Sequence, residues 1–205
     1  MTRNKSIILA STIVLTILIL DQIIKIWVKT SMFIGQDTRV FGDWFMLHFT
    51  ENEGMAFGMK FGGKTGKFLL TSFRLLAVGA LGWYIHKNAT KNPPVIFVVC
   101  LSLILAGAAG NIVDSLFYGL IFSDSTPWML ATSFPEGGGY APLFFGKVVD
   151  MFYAPIIHTT LPSWIPFKGG DEFIFFRPVF NLADSAISVG VVIMLLFYRK
   201  FWKDL

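Results

Sequence analysis

Apolar residues in this chain run together rather than alternating with polar ones. Four stretches, residues 6–28, 68–85, 95–116 and 179–198, are almost unbroken by charge. About 20 apolar residues are enough to cross roughly 30 Å of hydrocarbon as a helix, so the pattern predicts four transmembrane helices. The first follows Arg3 and Lys5 as a secretory signal would, yet it continues past Asp21 to Val28 with no small-residue cleavage site, so it reads as a retained anchor. Two longer segments, 29–67 and 117–178, lie between the runs. Residues 40–50 are rich in aromatic and β-branched side chains after a Gly-Gln-Asp turn signal, which predicts a short strand pair or small sheet. The second segment is punctuated by Pro127, Pro135, Pro142, Pro155, Pro162, Pro166 and two glycine runs, which argues against long regular elements there. The expected fold is an all-α membrane protein forming a single membrane-embedded domain over 1–205. It has four transmembrane helices, a small extracytoplasmic β-rich cradle and a long inserted outer loop.

Composition agrees with the pattern. Of 205 residues, 54% are hydrophobic and 15% charged, and the mean hydropathy is +0.63; a water-soluble domain is excluded. The net charge of +4 comes from short basic clusters beside the apolar runs, which suits membrane lipids and not nucleic acid. One cysteine, Cys100, inside an apolar run and three histidines without ligand spacing leave no basis for a disulfide framework, a metal or another cofactor. Arg3 and Lys5, Lys87 and Lys91, and Arg199, Lys200 and Lys203 fall on one side if there are four spans, so both termini are expected in the cytoplasm.

Against this background the acids stand out, since a carboxylate at membrane depth costs about 2.5–3.5 kcal/mol. Following the helix directions, Asp21, Asp114 and Asp184 all arrive at the outer end of the bundle. Asp21 has Lys25 four residues on, as an ion pair on one helical face requires, with Lys25 free to snorkel outward. Asp114 and Asp184 share a pattern, Asn111-Ile-Val-Asp114-Ser115 and Asn181-Leu-Ala183-Asp184-Ser185. Positions three apart lie on one helical face, so each Asn can orient its own Asp. Gly107 and Gly110 suit a close helix approach. Arg74 either snorkels or balances the excess acid.

Two carboxylates facing each other in a low-dielectric site tend to share one proton, which is the chemistry of aspartic proteases. One member takes a proton from attacking water, and the other polarises the carbonyl and protonates the leaving amine. Paired intramembrane carboxylates also serve ion-coupled transporters as proton relays. Those more often bind at the midplane between repeats of several spans, and here the repeat is five residues.

In order along the chain, Leu20-Asp21-Gln22 with Lys25, the Asn52, Gly54, Ala56 and Phe57 pattern, Gly110-Asn111-Ile-Val-Asp114, Gly146-Lys-Val-Val-Asp150 and Phe180-Asn181-Leu-Ala183-Asp184-Ser185 resemble the motifs of the lipoprotein signal peptidases, the type II signal peptidases of bacteria. The resemblance implies an aspartic endopeptidase of the bacterial cytoplasmic (inner) membrane, with its active site near the outer face. Such an enzyme cuts diacylglyceryl prolipoproteins on the amino side of the lipidated cysteine. The resemblance implies Asp114 and Asp184 as the catalytic pair, supported by Asn52, Gly54, Asn111, Asn181 and Ala183, with Asp21 and Lys25 structural or in binding. It also implies a monomer and inhibition by globomycin-type cyclic peptides. Two departures are visible. Ser115 stands where the family has Arg, with Arg74 or Arg177 as replacements, and the stretch between Asp114 and Asp184 is far longer than the family's.

Overall fold

The computed structural model describes residues 2–42, 44–54, 62–175 and 177–204. The first apolar run becomes helix α1, Arg3–Ser31, longer than expected at its outer end because Lys29 is buried in an ion pair with Glu51 and not left in a loop. Helix α2, Gly63–Asn88, begins earlier than hydropathy suggests. Its first turn is polar, but Lys67 there folds back to donate to the Glu53 carbonyl at 2.6 Å. Helix α3, Val95–Val113, follows Pro94 and runs on through a π-helical turn, Asp114–Tyr118, to Ile121. Helix α4, Leu182–Asp204, starts three residues later than the expected 179, because Val179 and Phe180 are strand residues. The spans Arg3–Ser31, Gly63–Lys91 and Val95–Ile121 are long and apolar enough to cross a membrane; the apolar part of α4, Leu182–Phe197, is shorter.

The outer segments build a sheet together. Strands β1 (Asp37–Phe41) and β2 (Phe45–Asn52) form the expected antiparallel pair. The second segment adds β3 (Val148–Tyr153) and β6 (Val179–Phe180), giving the order β1-β2-β3-β6. A separate ribbon pairs β4 (Ile157–Thr160) with β5 (Glu172–Phe175). The expected small β-rich region is present, as a four-stranded sheet to which both outer segments contribute. One sheet face packs Phe49, Val149 and Met151 against Val28 and Met32 of α1 and Tyr118 and Phe122 beyond α3, so β3 is seated directly over the outer end of the helices.

A π turn frees carbonyls that an α-helix would occupy. Here the inserted stretch before β3 supplies the donors: Gly146 N–H to the Ser115 carbonyl at 2.9 Å, Ala141 N–H to Gly119 at 3.0 Å and Phe144 N–H to Leu116 at 3.4 Å. The same stretch is tied to α1 and β2 by charge. Lys29 Nζ bonds Glu51 and, at 2.9 Å, Ser125 Oγ, while Lys147 bridges Glu51 at 3.2 Å and Asp124 at 2.8 Å.

Candidate active site

Helix α3 supplies Asn111 and Asp114, and it meets α4 closely because glycine removes the obstacle. A Cβ on Gly107 would lie 2.7 Å from Ile187 and against the Ala183 carbonyl, and one on Gly110 would lie 2.6 Å from Asp21. Ala183 is fully buried in that contact, and its backbone N–H donates to Asp21 Oδ1 at 3.0 Å. A larger side chain at 183 would part the helices, which is a physical reason for alanine there.

Lys25 does not snorkel. It is 0% exposed, and its ammonium contacts Asp21, Asp114 and the side-chain Oδ1 of Asn111, each at 2.9 Å. Gln22 donates to Asp114 Oδ1 at 2.9 Å and accepts from the Tyr118 hydroxyl at 3.0 Å. The Val149 N–H donates to Asp114 Oδ2 at 3.2 Å. Asp114 is therefore enclosed, 0% exposed and bonded to a cation, an amide and a backbone N–H. Asp114 is not among the residues lining the cavity that holds Asp184. Asp114 serves the network that fastens α1, α3 and β3 together, and the cavity beside it is lined by a different acid.

That cavity, about 260 Å³, has Asp150 and Asp184 in its wall, with Asn52, Gly54, Arg74 and Asn111. Each carboxylate is held by asparagine. Asp150 Oδ1 accepts from Asn181 Nδ2 at 2.7 Å and its Oδ2 from Asn52 Nδ2 at 3.3 Å. Asp184 Oδ1 accepts from Asn111 Nδ2 at 2.8 Å. Asn111 thus orients the acid of the other motif, contrary to the expectation that it faces its own. Asn181 does serve its own: its Oδ1 accepts the Asp184 N–H at 2.8 Å while Asp184 Oδ2 accepts the Asn181 N–H at 3.3 Å, a reciprocal box at the start of α4. Asp150, 3% exposed, has its pKa raised to about 7, chiefly by burial and then by the neighbouring charge of Asp184.

Asn52 and Gly54 both line this cavity. The Asn52 Oδ1 accepts the Gly54 N–H at 2.8 Å, leaving its Nδ2 for Asp150. Gly54 has φ +97°, and a Cβ there would lie 2.7 Å from Arg74 Nη1, so glycine is required twice over. Arg74 donates to the Gly54 carbonyl and interacts favourably with the charges of Asp184 and Asp150. It is the cation of this cavity, whereas Arg177 lines a second cleft farther out. Ser115 is 1% exposed with its Oγ on the Asn111 carbonyl at 3.0 Å, a space with no room for an arginine. Ala56 and Phe57 lie outside the described residues.

Asp150 and Arg74 are the residues that sequence reasoning passed over or left undecided. A signal for Asp150 existed: Val148-Val149-Asp150-Met151-Phe152-Tyr153 is a buried strand with a single carboxylate, the same anomaly that marked the helical acids.

The family model described as signal peptidase (SPase) II matches residues 13–200. A lipoprotein signal peptidase of Porphyromonas gingivalis is 51% identical over 191 residues, covering 93% of this chain and 82% of that protein. One from Amoebophilus asiaticus is 39% identical over 189 residues, covering 90% and 75%. A solved bacterial membrane enzyme, determined by the in meso method at 2.3 Å resolution, superposes with a TM-score of 0.60 at 25% identity, covering 96% of this chain and 88% of that one. These relatives give no support to the transporter alternative. A family match across almost the whole chain, relatives of high identity and a shared fold agree with the carboxylate-lined cavity: the chain belongs to the signal peptidase II family.

Proposed function

We propose that this chain is an aspartic endopeptidase that removes signal peptides from diacylglyceryl prolipoproteins, with Asp150 and Asp184 as the reacting pair. The observation that carries the pairing is their shared cavity, in which asparagine amides orient both carboxylates. One proton is shared between them. Asp150, whose pKa is raised to about 7, carries it and polarises the scissile carbonyl. Asp184 takes the proton of the attacking water, and the departing amine receives one from the pair. Asn52, Asn111 and Asn181 hold the acids in register, and Arg74 balances their charge. Asp21 and Lys25 act through structure, by fixing Asp114 and the Ala183 backbone.

The orientation follows from the two ends of the molecule. Arg3 reaches His86 at 3.3 Å, so the chain's start and the α2–α3 connection share one end, and Arg3, Lys5, Lys87 and Lys91 make it basic. That end faces the cytoplasm. Four helices then cross the inner membrane, and the cavity lies at the outer face beneath the sheet. The enzyme acts as a monomer on this reading, and a globomycin-type cyclic peptide would occupy the same space.

The test is cleavage of a diacylglyceryl prolipoprotein by the full-length enzyme in lipid. Asp150→Asn and Asp184→Asn each lower the rate on the order of 10² to 10⁴-fold or more with the fold intact. Full activity of folded Asp150→Asn, together with loss in a folded Asp114→Asn, would return the pair to Asp114 and Asp184.

A further inference from the structure

At the end of the bundle away from the carboxylates, α1 and α2 border an apolar groove of about 330 Å³. Its α1 wall is a single stripe, Ile7, Ser11 and Val14 with Ala10 and Leu15 beside them, at the three- and four-residue spacing that puts side chains on one helical face. Gly82, Ile85 and His86 of α2 stand opposite, and Leu105 of α3 lies between the walls. Ala10, Ile85 and Leu105 also belong to the packed cluster of the helices, which gives the groove a firm floor. Gly82 is not explained by helix contact, unlike Gly107 and Gly110, because a Cβ there would meet no atom of the described residues within 4 Å. Its effect is to widen the groove. The stripe ends on charge. Arg3 stands four residues before Ile7, on the same face, and its Nη2 lies 3.3 Å from His86 Nε2 across the mouth. That contact takes one of the five N–H donors of an exposed guanidinium and leaves others for an anion. Beside it, Lys87 Nζ folds over the exposed Trp83 ring, 4.8 Å from its centroid, an aromatic and basic pair suited to headgroup level.

We propose that this groove binds one acyl chain of an anionic phospholipid, with the lipid phosphate on Arg3, and that the bound lipid splints α1 against α2. The depth fits a single leaflet: Ile7 to Leu15 is eight residues, about 12 Å of helix, against about 15 Å for half of the hydrocarbon core. Any membrane helix touches lipid. What selects a chain here is concavity, since three helices surround it, together with a cation in line with the groove, the arrangement by which basic pockets between helices hold lipid headgroups. The charge at the mouth favours an anionic headgroup over a zwitterionic one, because Arg3 is joined at this end by Lys5, Lys87 and Lys91. The leaflet is the cytoplasmic one on the orientation proposed above, whereas binding measured in detergent is independent of that orientation and of the peptidase activity.

The experiment uses full-length enzyme in detergent and phosphatidylglycerol with a photoreactive group midway along one chain, beside phosphatidylcholine with the same chains. Wild-type labelling is expected to concentrate on peptides containing residues 7–15 and 82–86. The glycerol lipid is expected to label about fivefold more than the choline lipid, the increment of one basic contact. It is also expected to raise the unfolding temperature of the wild type. Gly82→Phe, whose Cβ has open space, is expected to lose both the groove labelling and the lipid-induced rise while keeping the wild-type unfolding temperature without lipid. Arg3→Gln is expected to retain labelling by the choline lipid and lose the preference. Equal labelling of wild type by the two lipids, equal labelling of the groove and of the exposed Leu195 and Leu196 on α4, or unchanged groove labelling in Gly82→Phe would overturn the proposal. Displacement of the label by a lipidated precursor would overturn it as well, by giving the groove to the signal peptide.

Discussion

Burial and the charge of Asp184 together make the ionised form of Asp150 unfavourable, and this has a consequence for stability as well as for chemistry. An unfolded aspartate titrates near 3.9, whereas folded Asp150 titrates near 7. The folded state therefore binds the extra proton between those values. The strain of the buried charge is absent below about pH 4, grows as pH rises and is complete above about 7. Asp150→Asn should accordingly raise the unfolding temperature in detergent at pH 8, with a gain of roughly 1–3 kcal/mol after the loss of one acceptor, and should give little gain at pH 4. A variant less stable than wild type at pH 8 would contradict the buried-acid reading. Asp114 differs in its partners: Lys25, Gln22 and the Val149 N–H occupy its oxygens. The Asp21–Lys25 pair was legible from spacing alone, because four residues on a helix are neighbours by geometry. The further partners of Lys25, Asn111 and Asp114, belong to another helix, and no local spacing encodes them.

At the scale of elements, two copies of one five-residue pattern do two different jobs. Asn111 lies inside α3, where its backbone is already satisfied, so its amide is free to reach across to Asp184. Asn181 precedes α4, where the amides of the first turn lack partners, so its oxygen is taken by the Asp184 N–H. What differs is position relative to a helix start, and hydropathy blurred that start by three residues because β6 is as apolar as the helix it leads into. The glycine contact between α3 and α4 was easier to read, since small residues in an apolar helix mark close packing. Gly107→Val should push the Ala183 backbone and Ile187 away, costing about 1–3 kcal/mol of stability by overpacking and lowering kcat by moving Asp184 relative to Asp150. Unchanged kcat and unfolding temperature would show that the two helices can separate freely.

Over the whole molecule, the insertion is anchored to the rest by charges that lie nearly out of reach of water. Glu51 stands between Lys29 of α1 and Lys147 at the start of β3, with side-chain exposures of 2%, 0% and 31% respectively. The same residue adjoins Asn52, which holds Asp150. Removing one partner of a buried pair strands the other charge, typically at about 3–5 kcal/mol. Glu51→Gln should therefore lower the unfolding temperature and speed amide exchange across residues 119–147, while exchange in α2 stays at the wild-type rate. Uniform acceleration throughout the protein would mean that the insertion has no separate anchorage.

The sequence by itself determined the solvent, the apolar helices, the first strand pair and the scarcity of acids that made a carboxylate mechanism legible, because all of these follow from local periodicity and from the cost of charge in hydrocarbon. It also carried the family resemblance. Only the tertiary structure decided which two acids face one cavity. Asp114 and Asp150 are both single carboxylates in apolar surroundings, and nothing local distinguishes them. The difference is made by Lys25 and Gln22 reaching Asp114 from α1 and by β3 crossing the helix ends to bring Asp150 to Asp184. Ion pairs and shared cavities depend on distances between elements far apart in the chain, and those distances exist only once the sheet has closed over the helices.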